Sequence, residues 1–127
     1  MRNAWIRALS VCGVLGVLGT ASAGVKDTWP VVINTTYRFA QGSLGTARNS
    51  VDNYQVISCN VQSSGWGYCY AQDSTGAFAS CYASTEQHWT AIRAINGDSA
   101  VYFDWDTSGY CGTIIVYQGS NWAPKQP

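Results

Sequence analysis

Four of the five cysteines, one histidine and a short acidic run are the residues of this chain with chemistry to offer. Cys59, Cys69, Cys81 and Cys111 are widely spaced, without a C-x-x-C pair. His88 is the lone histidine, so the thiols cannot complete a Cys/His zinc site. Pairing with one another is the better use, because an even cysteine count in a small exported chain reads as a disulfide framework. Thiols consumed in this way leave no cysteine nucleophile.

The acidic run is Asp104-Trp105-Asp106-Thr107-Ser108-Gly109. It resembles the opening of a calcium loop, where oxygens on alternate residues converge and a glycine permits the sharp turn. Ile115 stands where the closing acidic ligand belongs. An ordinary turn after a strand accounts for Asp, Ser and Gly equally well, so no metal ligand is assigned. Glu86, His88 and Arg93 form the trio of residue types that small secreted ribonucleases use. On a helix, 86 and 93 share a face and 88 does not. Such enzymes also need a second acid/base group across the substrate. No catalytic residue and no cofactor is therefore assigned, and a ribonuclease-like enzyme stays an alternative.

Export is written at the start of the chain. Arg2 and Arg7 precede an apolar run over Ala8–Leu18, and Ala21-Ser22-Ala23 is a small-x-small cleavage site. Residues 1–23 read as a signal peptide, taking Cys12 with it. Residues 24–127 then form one domain working in a secreted or periplasmic setting, where disulfides persist. The full chain balances seven basic against seven acidic residues. Beyond residue 23, five basic residues face seven acidic ones, a net charge of −2. No basic stripe exists to grip phosphates, so a nucleic-acid partner is not expected. Nor, after signal cleavage, is a membrane, because no basic amphipathic stretch is present. Low charge with many aromatic, hydroxyl and amide residues is the profile of an extracellular β protein.

The elements follow from turn residues and periodicity. A strand is expected at Val31–Asn34 and a second at Thr36–Ala40, with irregular turns marked by Gly42, Gly45 and Asn49. Residues 54–84 read as a three-stranded meander: Tyr54–Val61, Trp66–Asp73 and Ala77–Ala83. Its turns are Ser63-Ser64-Gly65 and Ser74-Thr75-Gly76, the latter with glycine where positive φ is required. One short helix is expected over 85–96, capped by Ser84 with Gln87 closing a capping box; a short strand is the competing reading. A hairpin follows, Ala100–Asp106 and Cys111–Tyr117. The fold class is all-β and mainly antiparallel, a small disulfide-stapled sandwich or barrel.

The two meander turns fix a register. The first sets Cys59 opposite Cys69, and the second sets Cys69 opposite Cys81. The outer strands then lie about 9.6 Å apart, beyond the roughly 7 Å a disulfide can span, which excludes Cys59–Cys81. Two patterns survive: Cys59–Cys69 with Cys81–Cys111, slightly favoured, or Cys69–Cys81 with Cys59–Cys111. Alternation puts Ile57, Val61, Gly67, Ala71, Ala77, Ala79 and Ala83 on the cysteine side, a dry face. Phe103 and Trp105 are expected in the same core.

The opposite face carries Tyr54, Ser58, Asn60, Trp66, Tyr68, Tyr70, Gln72, Phe78, Ser80 and Tyr82, without a charge. Rings cover the apolar faces of a sugar, while amides and hydroxyls bond its polar groups. Cross-strand aromatic pairs also stabilise a sheet in their own right, and the rings lie wet only if nothing covers them. The expectation is a secreted, non-catalytic binding module for a neutral glycan. Trp66, Tyr68, Tyr70 and Tyr82 are the platform rings, with Asn60 and Gln72 as polar partners. The alternative partner is another extracellular protein, with the chain acting as an inhibitor of an extracellular hydrolase through a rigid exposed loop over Ser43–Asn53.

Overall fold

The computed structural model describes residues 24–125. The expected signal peptide and Cys12 lie outside the described residues. The chain runs β1 (Val32–Asn34), β2 (Phe39–Ser43), α1 (Leu44–Arg48), β3 (Val56–Gln62), β4 (Trp66–Gln72), β5 (Phe78–Ala83), α2 (Glu86–Arg93), β6 (Ser99–Trp105) and β7 (Cys111–Gln118). Two antiparallel sheets, β1-β2-β6-β7 and β3-β4-β5, form a sandwich-like pair and not a closed barrel.

The meander forms in the expected register. Cys59 faces Cys69 across β3–β4, and Cys69 faces Cys81 across β4–β5. Gly76 adopts φ 86° in the second turn, where a Cβ would be strained. Asp73 Oδ1 completes that turn by accepting from the N–H groups of Thr75 and Ala77 and from the Thr75 hydroxyl. Ala77 is thereby drawn into the turn and is exposed, not part of the dry face. The other dry-face positions hold: Ile57, Cys69, Ala71, Ala79, Cys81 and Ala83 are buried.

The second sheet supplies the facing layer. Ala40, Val101 and Phe103 are fully buried, and Ile33 and Ile114 pack against them. Trp105 is only half-buried, its ring 6.1 Å from that of Phe103. A bulge lies just before it: the β6–β7 register shifts between Phe103 and Trp105, so Asp104 opposes two residues. The disulfides are Cys59–Cys69, joining β3 to β4, and Cys81–Cys111, joining β5 to β7 across the two sheets. Two bridges fit an oxidising compartment. Among the described residues no helix is long and apolar enough to cross a membrane.

Both helices correct the sequence reading in part. Residues expected as irregular turns form α1, capped by the buried Ser43, whose hydroxyl accepts from Thr46 N. The helix lies where Gly45 meets the Ala123 carbonyl of the tail, so no side chain fits there. α2 starts from Thr85, one residue later than expected; its hydroxyl accepts from His88 N. The choice is physical, since an N-cap oxygen must reach the N–H three residues on. Ile92 is buried and Trp89 packs against the core from the helix, which ends at Arg93, short of the expected 96, so Ile95 packs against the core from beyond it.

Candidate functional site

Four rungs of cross-strand neighbours build the outer face of the meander. They are Gln62 with Trp66; Asn60 with Tyr68 and Tyr82; Ser58 with Tyr70 and Ser80; and Val56 with Gln72 and Phe78. The small inward residues let this sheet sit tightly on the core, and alternation sends every ring outward. Trp66 and Tyr68 stack with centroids 6.1 Å apart and planes 5° from parallel. Tyr68 contacts Tyr82 at 5.5 Å and Tyr70 at 5.9 Å, and Tyr70 stacks on Phe78 at 6.2 Å. The row is open to solvent at Trp66, Tyr82 and Phe78, which are 41 %, 45 % and 57 % exposed, while the central Tyr68 and Tyr70 are half-buried. Among the described residues, no group hydrogen-bonds the hydroxyls of Tyr68, Tyr70 or Tyr82.

All four expected platform rings are therefore brought together. The polar partners divide. Asn60 is exposed beside Tyr68. Gln72 is half-buried, and its amide nitrogen donates to the Gly76 carbonyl, so one of its polar groups serves the turn. Tyr54 falls before β3 and lies exposed beyond the sheet.

One ring escaped the sequence reading. Tyr110 sits on the β6–β7 turn, 6.3 Å from Tyr82, and extends the row past the edge of β5. Three contacts hold it there. Tyr82 N donates to the Gly109 carbonyl, Tyr110 N donates to Asp106 Oδ1, and the Cys81–Cys111 bridge ties the residues next to both rings. That disulfide was the available signal, because Tyr82 follows Cys81 and Tyr110 precedes Cys111. Beside Tyr110 the sheet ends in an open cleft of about 600 Å³. Its lining includes Gly65, Trp66, Tyr82, Ser84, Trp89 and Tyr110, and no charged side chain. Trp89 is fixed by a 2.8 Å bond from its indole nitrogen to the Ala83 carbonyl.

A smaller cleft of about 390 Å³ opens at the other flank, between α1 and β3. Ser58 and Tyr70 line it from the sheet, and Arg48 and Lys125 bring cationic side chains to it. These cationic groups lie beside Tyr70 on the β3 flank of the row.

The acidic run has structural partners. Asp104 Oδ1 accepts from Thr113 N inside the bulge, and Asp106 Oδ1 accepts from the N–H groups of Ser108 and Tyr110. Burial, with the Asp104 carboxylate second, pushes the Tyr102 phenol above its ordinary range. Among the described residues no three His, Cys, Asp or Glu side chains cluster as metal ligands. Glu86 and Arg93 pair with each other at 3.3 Å on the exposed face of α2. His88 turns away from them. Its Nε2 lies 3.0 Å from the Gly112 carbonyl, which can only accept, so Nε2 donates there, and the buried Nδ1 has no partner among the described residues.

Comparison of the chain with protein-family models, with curated proteins and with solved structures finds no match.

Proposed function

We propose that this is an exported, non-catalytic binding module that holds a neutral carbohydrate on the outer face of β3-β4-β5. The observation that carries the reading is a continuous row of aromatic rings, exposed at Trp66, Tyr82 and Phe78 and half-buried at Tyr68 and Tyr70, on strands that bear no charged residue. An exposed aromatic patch of this extent needs a partner to explain it. Successive ring centroids are separated by distances of the order of one pyranose residue. Ring faces suit the apolar C–H faces of sugars, and rigid tyrosines lose little side-chain entropy on contact. Unbonded phenol hydroxyls and the exposed Asn60 amide answer sugar hydroxyls. Export to a secreted or periplasmic setting belongs to the same proposal; the two disulfides and the N-terminal residues support it.

A panel of immobilised neutral glucans, mannans and chito-oligosaccharides tests this with the disulfide-bonded protein. At least one glycan is retained, and Tyr68→Ala and Tyr70→Ala each weaken retention about tenfold or more, as central aromatic contacts do. Retention unchanged in both variants, or absent throughout, ends the proposal.

One observation favours the inhibitor reading as an alternative. Val51 protrudes fully into solvent at the tip of the segment before β3. Asp52 stiffens that segment: Oδ1 accepts from Tyr54 N and Gln55 N, and Oδ2 accepts from the Gln55 amide. The expected insert shrinks accordingly, because Ser43, Gly45 and Ala47 are buried. Protease and lysozyme inhibition that disappears in Val51→Asp supports this reading over the glycan one. Ribonuclease activity lost in His88→Ala supports the enzyme alternative.

A further inference from the structure

The ring row has two ends that differ. Toward Phe78 it runs out over the β4–β5 turn. Toward Trp66 it stops where the chain turns at Gly65 and where β5 leaves the sheet through Ser84 into α2. Here the flat platform becomes a cleft, with Trp66 and Tyr82 on the sheet side, Trp89 from the helix and Tyr110 from the facing sheet's turn. Its volume of about 600 Å³ lies within the range of small-ligand sites, which are typically aromatic-lined with a few polar groups. Three elements of separate origin converge on it. Gly65 has φ 79° and a Trp89 ring atom 3.3 Å from where its Cβ would stand, so a side chain there would strain the backbone and press on the indole.

From this we infer that the cleft is an end-binding subsite: it takes the terminal sugar residues of the glycan whose adjoining units lie along Tyr68, Tyr70 and Phe78. The inference rests on the carbohydrate reading above and adds polarity to it. An internal stretch of polymer needs an unobstructed platform in both directions, and here the platform meets a turn and a helix. A chain end needs only one open direction and profits from rings on more than one side. The cleft lacks charge, so its occupant is an uncharged pyranose and not a uronic acid or a sulfated sugar. Asp106 is a positioning residue for this subsite, because its carboxylate fixes the backbone of Tyr110.

Sized ladders of dextran, β-1,3-glucan, β-1,4-glucan, mannan and chito-oligosaccharides, from disaccharide upward, test the inference by titration of tryptophan fluorescence. For the ladder that binds, affinity per chain levels off once the row is covered, and affinity per unit mass falls as chain ends become scarcer. Tyr110→Ala weakens every member of the ladder by about tenfold, while Tyr110→Phe keeps the ring and most of the affinity. Ser84→Trp, which fills the cleft from an exposed position and removes no contact, does the same. Phe78→Ala weakens only the longer members. Affinity that tracks polymer mass, or that survives both Tyr110→Ala and Ser84→Trp, overturns end binding and leaves the glycan platform standing. Absence of binding to every ladder overturns both.

Discussion

The two outer faces of the sandwich place the same residue types in opposite settings. On the four-stranded sheet Trp29 lies 5.4 Å from both Tyr117 and Trp122, stacked on the latter. Around them Asp27 N donates to the Asn121 carbonyl, and Asn121 Nδ2 donates to Asp27 Oδ2. Those rings clamp the N-terminal segment to the tail. On the three-stranded sheet the described ring–ring contacts join the rings only to one another and to Tyr110. Aromatic content alone therefore says little about function. What separates a clamp from a platform is whether another part of the chain spends the ring surface first.

Substitutions can break or sharpen that contrast. The largest effect is expected between the faces. Phe103 is fully buried where the sheets meet, so Phe103→Ala lowers stability by about 3–5 kcal/mol in urea unfolding and weakens clamp and platform together. Next comes the bridge between the sheets. Replacing Cys81 and Cys111 together by alanine costs about 2–4 kcal/mol and removes the tie beside Tyr110. The same change at Cys59 and Cys69 costs less, because that bridge spans a separation of 10 residues and not 30. Trp29→Ala then lowers stability by about 1–3 kcal/mol and speeds amide exchange at Asp27, with glycan binding unchanged. Tyr70→Ala shows the reverse, a stability loss of about 1 kcal/mol or less with binding reduced. Equal stability losses at Trp29 and Tyr70 would erase the distinction.

The smallest effect is a pH dependence. Hydrogen bonds from the Gln55 side chain, then from the backbone of Gln55 and Tyr54, lower the Asp52 pKa from 3.8 to about 2. Folding lowers this pKa, so its contribution is complete above the ordinary aspartate value and fades as pH falls toward about 2. Unfolding curves between pH 5 and 2 are expected to lose stability, and Asp52→Asn flattens part of that loss. Gln55 also accepts from Val31 N, which couples this segment to the start of the four-stranded sheet.

The register of the meander was legible, though Tyr54 and Ala77 fall outside its strands. Two tight turns with glycine at the strained position set the register, and alternation did the rest: Cys69 in, Tyr70 out. Because adjacent strands and disulfide reach have fixed dimensions, the excluded pairing followed from spacing alone. α1 was not legible. Its glycine-containing segment carries turn signals, and the tail that packs on Gly45 comes from far along the chain. The same holds for Ala77 and Thr85, where local hydrogen bonds shifted an element end by one residue.

Sequence by itself determined the β class, the inward thiols and alanines, and the outward rings, because these depend on short-range geometry with a period of two. Only the tertiary structure decided that the rings stay wet, that Cys81 pairs with Cys111, and that Tyr110 and Trp89 meet Trp66 and Tyr82 around one cleft. Those facts depend on how two sheets and a helix pack, and packing is set by contacts between residues whose separation along the chain carries no periodic signal.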